Sequence, residues 1–97
     1  MRIIVLRSAR RAIADGIQFY EDQESGLGAY FLDSIMADIR SLKIYAGVHQ
    51  VFDDRYYRMT CRTFPCSIYY RIENSDVKVY AVLDDRRDPE WIRSRLN

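Results

Sequence analysis

Along the chain the spacing of apolar residues changes twice. Ile3, Ile4, Val5 and Leu6 form an unbroken apolar run between Arg2 and Arg7, which predicts a short strand buried on both faces. From Ala9 the apolar positions recur three and four residues apart, through Ala12, Ile13, Gly16, Ile17 and Tyr20, while Arg10, Arg11, Asp15 and Asp22 fall off that stripe. This spacing predicts an amphipathic helix ending near Gln23, with Ser8 placed to cap it. Glu24-Ser25-Gly26 interrupts the pattern. A second helix is predicted from Leu27 to Lys43, with Phe31, Ile35, Ile39 and Leu42 on its apolar side, Leu32 and Met36 flanking them, and Asp33, Asp38 and Arg40 facing out. So short a break between two helices predicts an antiparallel hairpin. The segment from Tyr45 to Asp54 has no period, and Gly47 offers a stop, so a loop is expected there.

Beyond the loop the period falls to two. Tyr57, Met59 and Cys61 alternate with Arg58, Thr60 and Arg62; Cys66, Ile68, Tyr70 and Ile72 alternate with Ser67, Tyr69 and Arg71; Val77, Val79, Ala81 and Leu83 alternate with Lys78, Tyr80, Val82 and Asp84. Thr63-Phe64-Pro65 and Glu73-Asn74-Ser75-Asp76 supply turns, so the three strands form an antiparallel meander. Asp88-Pro89 is a helix start, a carboxylate at the cap followed by proline at the first position, and Trp91, Ile92 and Leu96 give a short terminal helix its apolar edge. The order β-α-α-β-β-β-α predicts a single α+β domain over residues 1–97, with the helices on one face of a four-stranded sheet.

Composition narrows the chemistry. The formal net charge is only +1, which argues against a general electrostatic coating of nucleic acid, yet thirteen of the fifteen basic residues are arginine. Arginine suits bidentate anion contacts and stacking, so a local basic patch is allowed. Two cysteines, Cys61 and Cys66, are too few for a disulfide scaffold, and one histidine cannot complete a zinc site with them. They read as reduced, buried thiols, with no metal and no cofactor expected. No apolar run approaches a membrane span and no signal peptide opens the chain, so a cytoplasmic protein without a membrane partner is expected.

If the Met59, Ile68 and Val79 series faces the helices, alternation displays Arg58, Thr60, Arg62, Ser67, Tyr69, Arg71, Lys78, Tyr80 and Asp84 on the other side of the sheet, with Arg86 and Arg87 at its end. Such a surface could hold phosphates, stack bases or meet an acidic protein. It could equally be the wet face of an antiparallel sheet, with Arg62 or Arg71 paired to Asp84 or Glu73. Other groups carry less. His49 has no nucleophile assigned to it, Glu21, Asp22 and Glu24 sit at a helix end, Asp53-Asp54 is a lone acidic pair, Asp84-Asp85 beside Arg86-Arg87 reads as a charge-compensated strand end, and Gly26 and Gly28 ease the inter-helix turn.

The block Arg62-Thr63-Phe64-Pro65-Cys66-Ser67-Ile68-Tyr69-Tyr70-Arg71-Ile72, followed by Val79-Tyr80-Ala81-Val82-Leu83 and Arg86-Arg87-Asp88-Pro89, resembles the RelE/ParE toxin superfamily, and within it the ParE-like, plasmid-stabilisation branch. Phe19-Tyr20-Glu21 and Gly26-Leu27-Gly28-Ala29-Tyr30-Phe31 fit the helical hairpin of that family, so the likeness spans essentially the whole chain. The resemblance implies the toxin of a type II toxin–antitoxin pair, covered and neutralised by a cognate antitoxin. RelE-like members cut messenger RNA on the ribosome; ParE-like members poison DNA gyrase. For a ribonuclease, the resemblance assigns Arg58, Arg62 and Arg87 as the catalytic cations. Ser67, however, stands where RelE has a catalytic arginine, and Arg93 where it has a terminal tyrosine. Loss of either group costs on the order of 10²–10⁴-fold in rate, which favours gyrase over mRNA. The surface expected to meet the target comprises Arg58, Arg62, Tyr69, Arg71, Arg86, Arg87 and Trp91, with Arg95 beside them. A homodimer is allowed, and a non-toxic remnant that still binds antitoxin is a third reading.

Overall fold

A computed structural model of the chain describes residues 1–96. Eight elements follow one another: β1 (Ile3–Val5), α1 (Arg7–Gln23), α2 (Leu27–Tyr45), β2 (Gln50–Phe52), β3 (Tyr56–Thr60), β4 (Cys66–Glu73), β5 (Asp76–Asp84) and α3 (Pro89–Leu96). The strands form one mixed sheet in the order β1-β5-β4-β3-β2, in which only the β1–β5 pair is parallel. The α+β class and the meander are as the periodicity predicts. The four-stranded sheet is not: a fifth strand, β2, lies within the expected loop and pairs Gln50, Val51 and Phe52 with Arg58, Tyr57 and Tyr56. Three residues are too few to show a period, so this strand exists by virtue of its partner.

The α1–α2 hairpin covers one face of the sheet. Ala9 and Ile13 of α1 and Phe31, Ile35, Ile39 and Leu42 of α2 pack there on Met59, Ile68, Tyr70, Val77, Val79 and Val82. The helices approach closely at two glycines. A Cβ on Gly16 would stand 2.5 Å from the Phe31 ring, and one on Gly28 would stand 2.7 Å from the Ile17 carbonyl oxygen. Glu21 caps α2 from the preceding helix, its carboxylate accepting from the backbone N–H groups of Gly26 (3.1 Å) and Gly28 (3.0 Å). A negative group is favoured at that helix end. Ser8 does not cap α1; the helix starts one residue earlier, and the Ser8 hydroxyl donates instead to the Tyr80 carbonyl at 2.7 Å. β1 is half-buried rather than enclosed on both faces, because it is an edge strand.

α3 packs on the opposite face of the sheet, so the helices do not share one side. Asp88 caps it, accepting from the Trp91 N–H at 2.9 Å. Ile92, with Trp91 and Leu96 beside it, covers Tyr69, Ala81 and Leu83, and the Tyr56 hydroxyl donates to the Leu96 carbonyl at 2.9 Å.

A β-bulge decides which residues of β5 lie under α3. Tyr70 pairs with Val79, but the next residue, Tyr69, pairs with Ala81, which leaves Tyr80 as an extra residue in β5. One inserted residue reverses the facing of everything after it. Val77 and Val79 therefore face the hairpin as expected, whereas Ala81 and Leu83 face α3, and Val82 and Asp84 turn to the hairpin side.

Candidate functional site

The arginine-rich face foreseen from strict alternation is largely taken apart by these placements. Arg58 does lie on the face opposite the hairpin, half-buried, with its Nη2 donating to Asp85 Oδ1 at 3.1 Å. The Ser67 hydroxyl donates to the same oxygen at 2.5 Å. Burial works against the Arg58 charge, but the Asp85 carboxylate and the adjacent Tyr69 outweigh it and raise the pKa. Tyr69 is fully buried beneath α3 with its ring edge-on to Phe52, so it is core rather than displayed surface. Burial pushes its phenol pKa up, against the pull of Arg58. The Tyr69 hydroxyl and Arg58 Nε are buried without a hydrogen-bond partner among the described residues.

Arg71 is tied to Glu73 at 3.1 Å and lies over the rings of Tyr56 and Tyr80. Lys78 and the Tyr80 hydroxyl also bond Glu73, and these donors hold its carboxyl below the usual range, the Tyr80 hydrogen bond contributing most. Arg86 pairs with Asp84 at 2.6 Å. The bulge has moved this pair to the hairpin side, where Asp84 lines a small apolar pocket with Phe19, Tyr20 and Phe31. The Arg86 hydrogen bond holds the Asp84 carboxyl low. Arg62 makes no ion pair among the described residues. With Arg58 it lines a groove between α2 and β3, beside Asp38, Ser41, Tyr45 and His49, and its backbone N–H donates to Asp38 at 3.2 Å.

Two further residues of the expected set, Arg87 and Trp91, come together. Trp91 lies between two guanidinium groups, Arg87 at 4.3 Å from the ring centroid and Arg95 at 4.9 Å. Arg95 follows Trp91 by four residues on α3, one helical turn on, while Arg87 reaches the ring from the turn that precedes the helix. Neither arginine has a carboxylate partner among the described residues, so both charges remain available.

Trp91 and Arg95 form one rim of a groove of about 760 Å³; Arg7, Arg11 and Asp15 of α1 form the other. Its floor is Ala81, Val82, Leu83 and Asp84. The groove arises from the topology. β1 pairs only with Val77, Lys78 and Val79, which leaves the second half of β5 without a strand on that side, between α1 and α3. Arg7 and Arg11, four residues apart on one side of α1 and free of ion pairs among the described residues, are absent from the sequence-derived set. Their helical spacing off the apolar stripe is the signal that could have found them.

The described residues contain no cluster of His, Cys, Asp or Glu able to hold a metal ion, and no helix long and apolar enough to cross a membrane. Cys61 and Cys66 are free, buried thiols with sulfurs 2.9 Å apart. His49 Nδ1 and the Tyr70 hydroxyl share a hydrogen bond at 2.5 Å, and that hydroxyl accepts from the Gly47 N–H at 2.9 Å.

Among solved structures, a chain of the chromosomal ParDE TA system from P. aeruginosa superposes with a TM-score of 0.80, covering 87% of this chain and 95% of that one at 12% sequence identity. This chain has the RelE/ParE-type fold. No family model and no curated protein matches it. In the RelE/ParE-type fold of this chain, the groove along β5 and the Arg87–Trp91–Arg95 stack lie side by side. Arg7, Arg11, Arg87 and Arg95 make no ion pair among the described residues and stand around the half-buried Trp91 and the apolar groove floor.

Proposed function

We propose that this chain is the toxin of a type II toxin–antitoxin pair, that it arrests growth by binding DNA gyrase, and that a cognate antitoxin neutralises it. The observation that carries this reading is the likeness of the whole fold to a chain of the ParDE TA system, together with the motif resemblance in the sequence.

The state of the arginines favours binding over RNA cleavage. A RelE-like ribonuclease needs free cations and an acid or base around the scissile phosphate. Here Arg58 and Ser67 share Asp85, Arg93 points to Asp53 and the Phe52 ring, and Arg62 and Arg87 line separate surfaces. What remains exposed suits a protein partner. Tryptophan and arginine dominate binding energy at interfaces, and truncating such an anchor costs about 2 kcal/mol or more, roughly 30-fold in affinity. We assign Trp91 with Arg87 and Arg95 to the gyrase contact. The groove along β5, with an apolar floor and arginines on both rims, suits an acidic amphipathic segment of the antitoxin.

Expression of the chain alone in a bacterium tests the assignment. Gyrase poisoning gives an SOS response and halted DNA synthesis while translation continues. Prompt arrest of translation with cleaved transcripts would transfer the chain to the ribonuclease class, and unimpaired growth would leave it a non-toxic fold.

A further inference from the structure

The longest stretch of the chain without an Asp, Glu, Lys or Arg is Ile44–Phe52, and it is not a core segment. Ile44 is 78% exposed, Tyr45 55%, Val48 72% and Val51 56%. All four lie where the chain leaves α2 and enters β2, the strand at one edge of the sheet. The outer side of that strand presents main-chain groups with no neighbour in the sheet. Edge strands in monomers are normally blunted by charged side chains or proline, and this one has neither. Exposed apolar side chains gathered at a bare edge mark an interaction surface.

We infer that this edge is an interface between two copies of the chain, joined β2 to β2 about a two-fold axis through Val51. The argument rests on self-complementarity. In an antiparallel pair of β2 strands centred on Val51, each Val51 faces its counterpart, and Gln50 of each copy faces Phe52 of the other. The nearest charged residues, Asp53 and Asp54, fall beside the neutral His49 and Val48 of the second copy, so no like charges oppose each other. A two-fold axis normal to the sheet also keeps both helical layers on one side. Val51 shares the hairpin side with Tyr57, so the two Val51 side chains meet across the axis on that side. The same patch on both subunits is what an isologous dimer requires. β2 itself carries no charged side chain; Arg58, Arg62 and Asp38 line the neighbouring groove with Val48 and Gln50. The groove assigned to the antitoxin lies at the β5 edge, so a β2 dimer leaves it open, and this inference stands independently of the toxin reading.

Sedimentation of the full chain over a series from about 1 to 200 µM tests it. The sedimenting mass should rise to that of a dimer. Val51→Lys, which sets two cations against each other at the axis, should return the chain to a monomer with an unchanged circular dichroism spectrum and melting temperature. Val51→Cys should form a covalent dimer on mild oxidation, since directly opposed Cβ atoms lie roughly 5 Å apart in such a pair. A wild-type chain that stays monomeric throughout would overturn the proposal and leave the patch to a different protein. A dimer that survives Val51→Lys and resists cross-linking at residue 51 would overturn it too, by placing the interface elsewhere.

Discussion

Tyr80 and Ala81 are adjacent in the chain yet lie on the same face of the sheet. Tyr80 stacks edge-on to Tyr56 at 5.4 Å, and Ala81 packs with Tyr69 beneath α3. Because Tyr80 is the extra residue of the bulge, its deletion should heal the ladder. Tyr70 and Tyr69 would then face Val79 and Ala81 as consecutive pairs, with Val82 still toward the hairpin. We expect the deletion to fold with a loss of about 1–3 kcal/mol from the Tyr80 contacts. Deleting Val82 instead would put Leu83 toward the hairpin and Asp84 under α3, and should abolish cooperative unfolding. Denaturant titration of the two deletions reads the difference; equal losses would show that the bulge does not set the facing.

The polar cluster of Arg58, Ser67, Tyr69 and Asp85 gives two substitutions of unequal effect. Tyr69→Phe removes a buried hydroxyl that meets no hydrogen-bond geometry among the described residues, so only its electrostatic contact with Arg58 is lost and stability should change by less than ~1 kcal/mol. Asp85→Asn removes the charge shared by Arg58 and Ser67 and leaves a half-buried guanidinium uncompensated, with an expected loss of about 1–3 kcal/mol. Chemical denaturation checks both, and a Tyr69→Phe chain destabilised by more than ~1 kcal/mol would mean that the hydroxyl does find a partner.

His49 should make stability fall in mild acid. Burial lowers its pKa, because the charged ring is the form that loses most by leaving water. The folded state therefore resists a proton that the unfolded chain takes up near pH 6.5. Stability should be full above about pH 7 and decline as the pH drops below the unfolded value, until the folded histidine also titrates. Melting temperatures of wild type and His49→Gln at about pH 7.5 and 5.5 test this: the wild type should lose more than the variant. Parallel losses would remove His49 as the cause.

The helices were legible because a period near 3.6 survives over seventeen and nineteen residues, and Asp88-Pro89 marked the start of α3. Facing on β5 was not legible beyond Val79, since alternation carries no mark of an inserted residue. β2 escaped notice because three residues show no pattern and their conformation depends on Tyr56–Arg58. The fate of the arginines divides by sequence distance. Pairs two residues apart, Arg71–Glu73 and Arg86–Asp84, follow from local geometry, whereas Arg58–Asp85 joins residues brought together only by the fold. A patch inferred from alternation therefore overstates the free charge; of the Arg87–Trp91–Arg95 stack, only the Trp91–Arg95 half is readable from a helical spacing of four, because Arg87 precedes α3.

The most direct measurement is DNA cleavage by purified gyrase on supercoiled plasmid in the presence of the chain. Gyrase poisoning predicts linear, protein-linked plasmid that increases with toxin dose and disappears with added antitoxin. The Arg87→Ala/Arg95→Ala chain, folded by circular dichroism, should need at least ~30-fold more protein for the same effect. Plasmid that stays uncut at saturating toxin, while the same preparation cleaves mRNA on ribosomes, would contradict the proposed function.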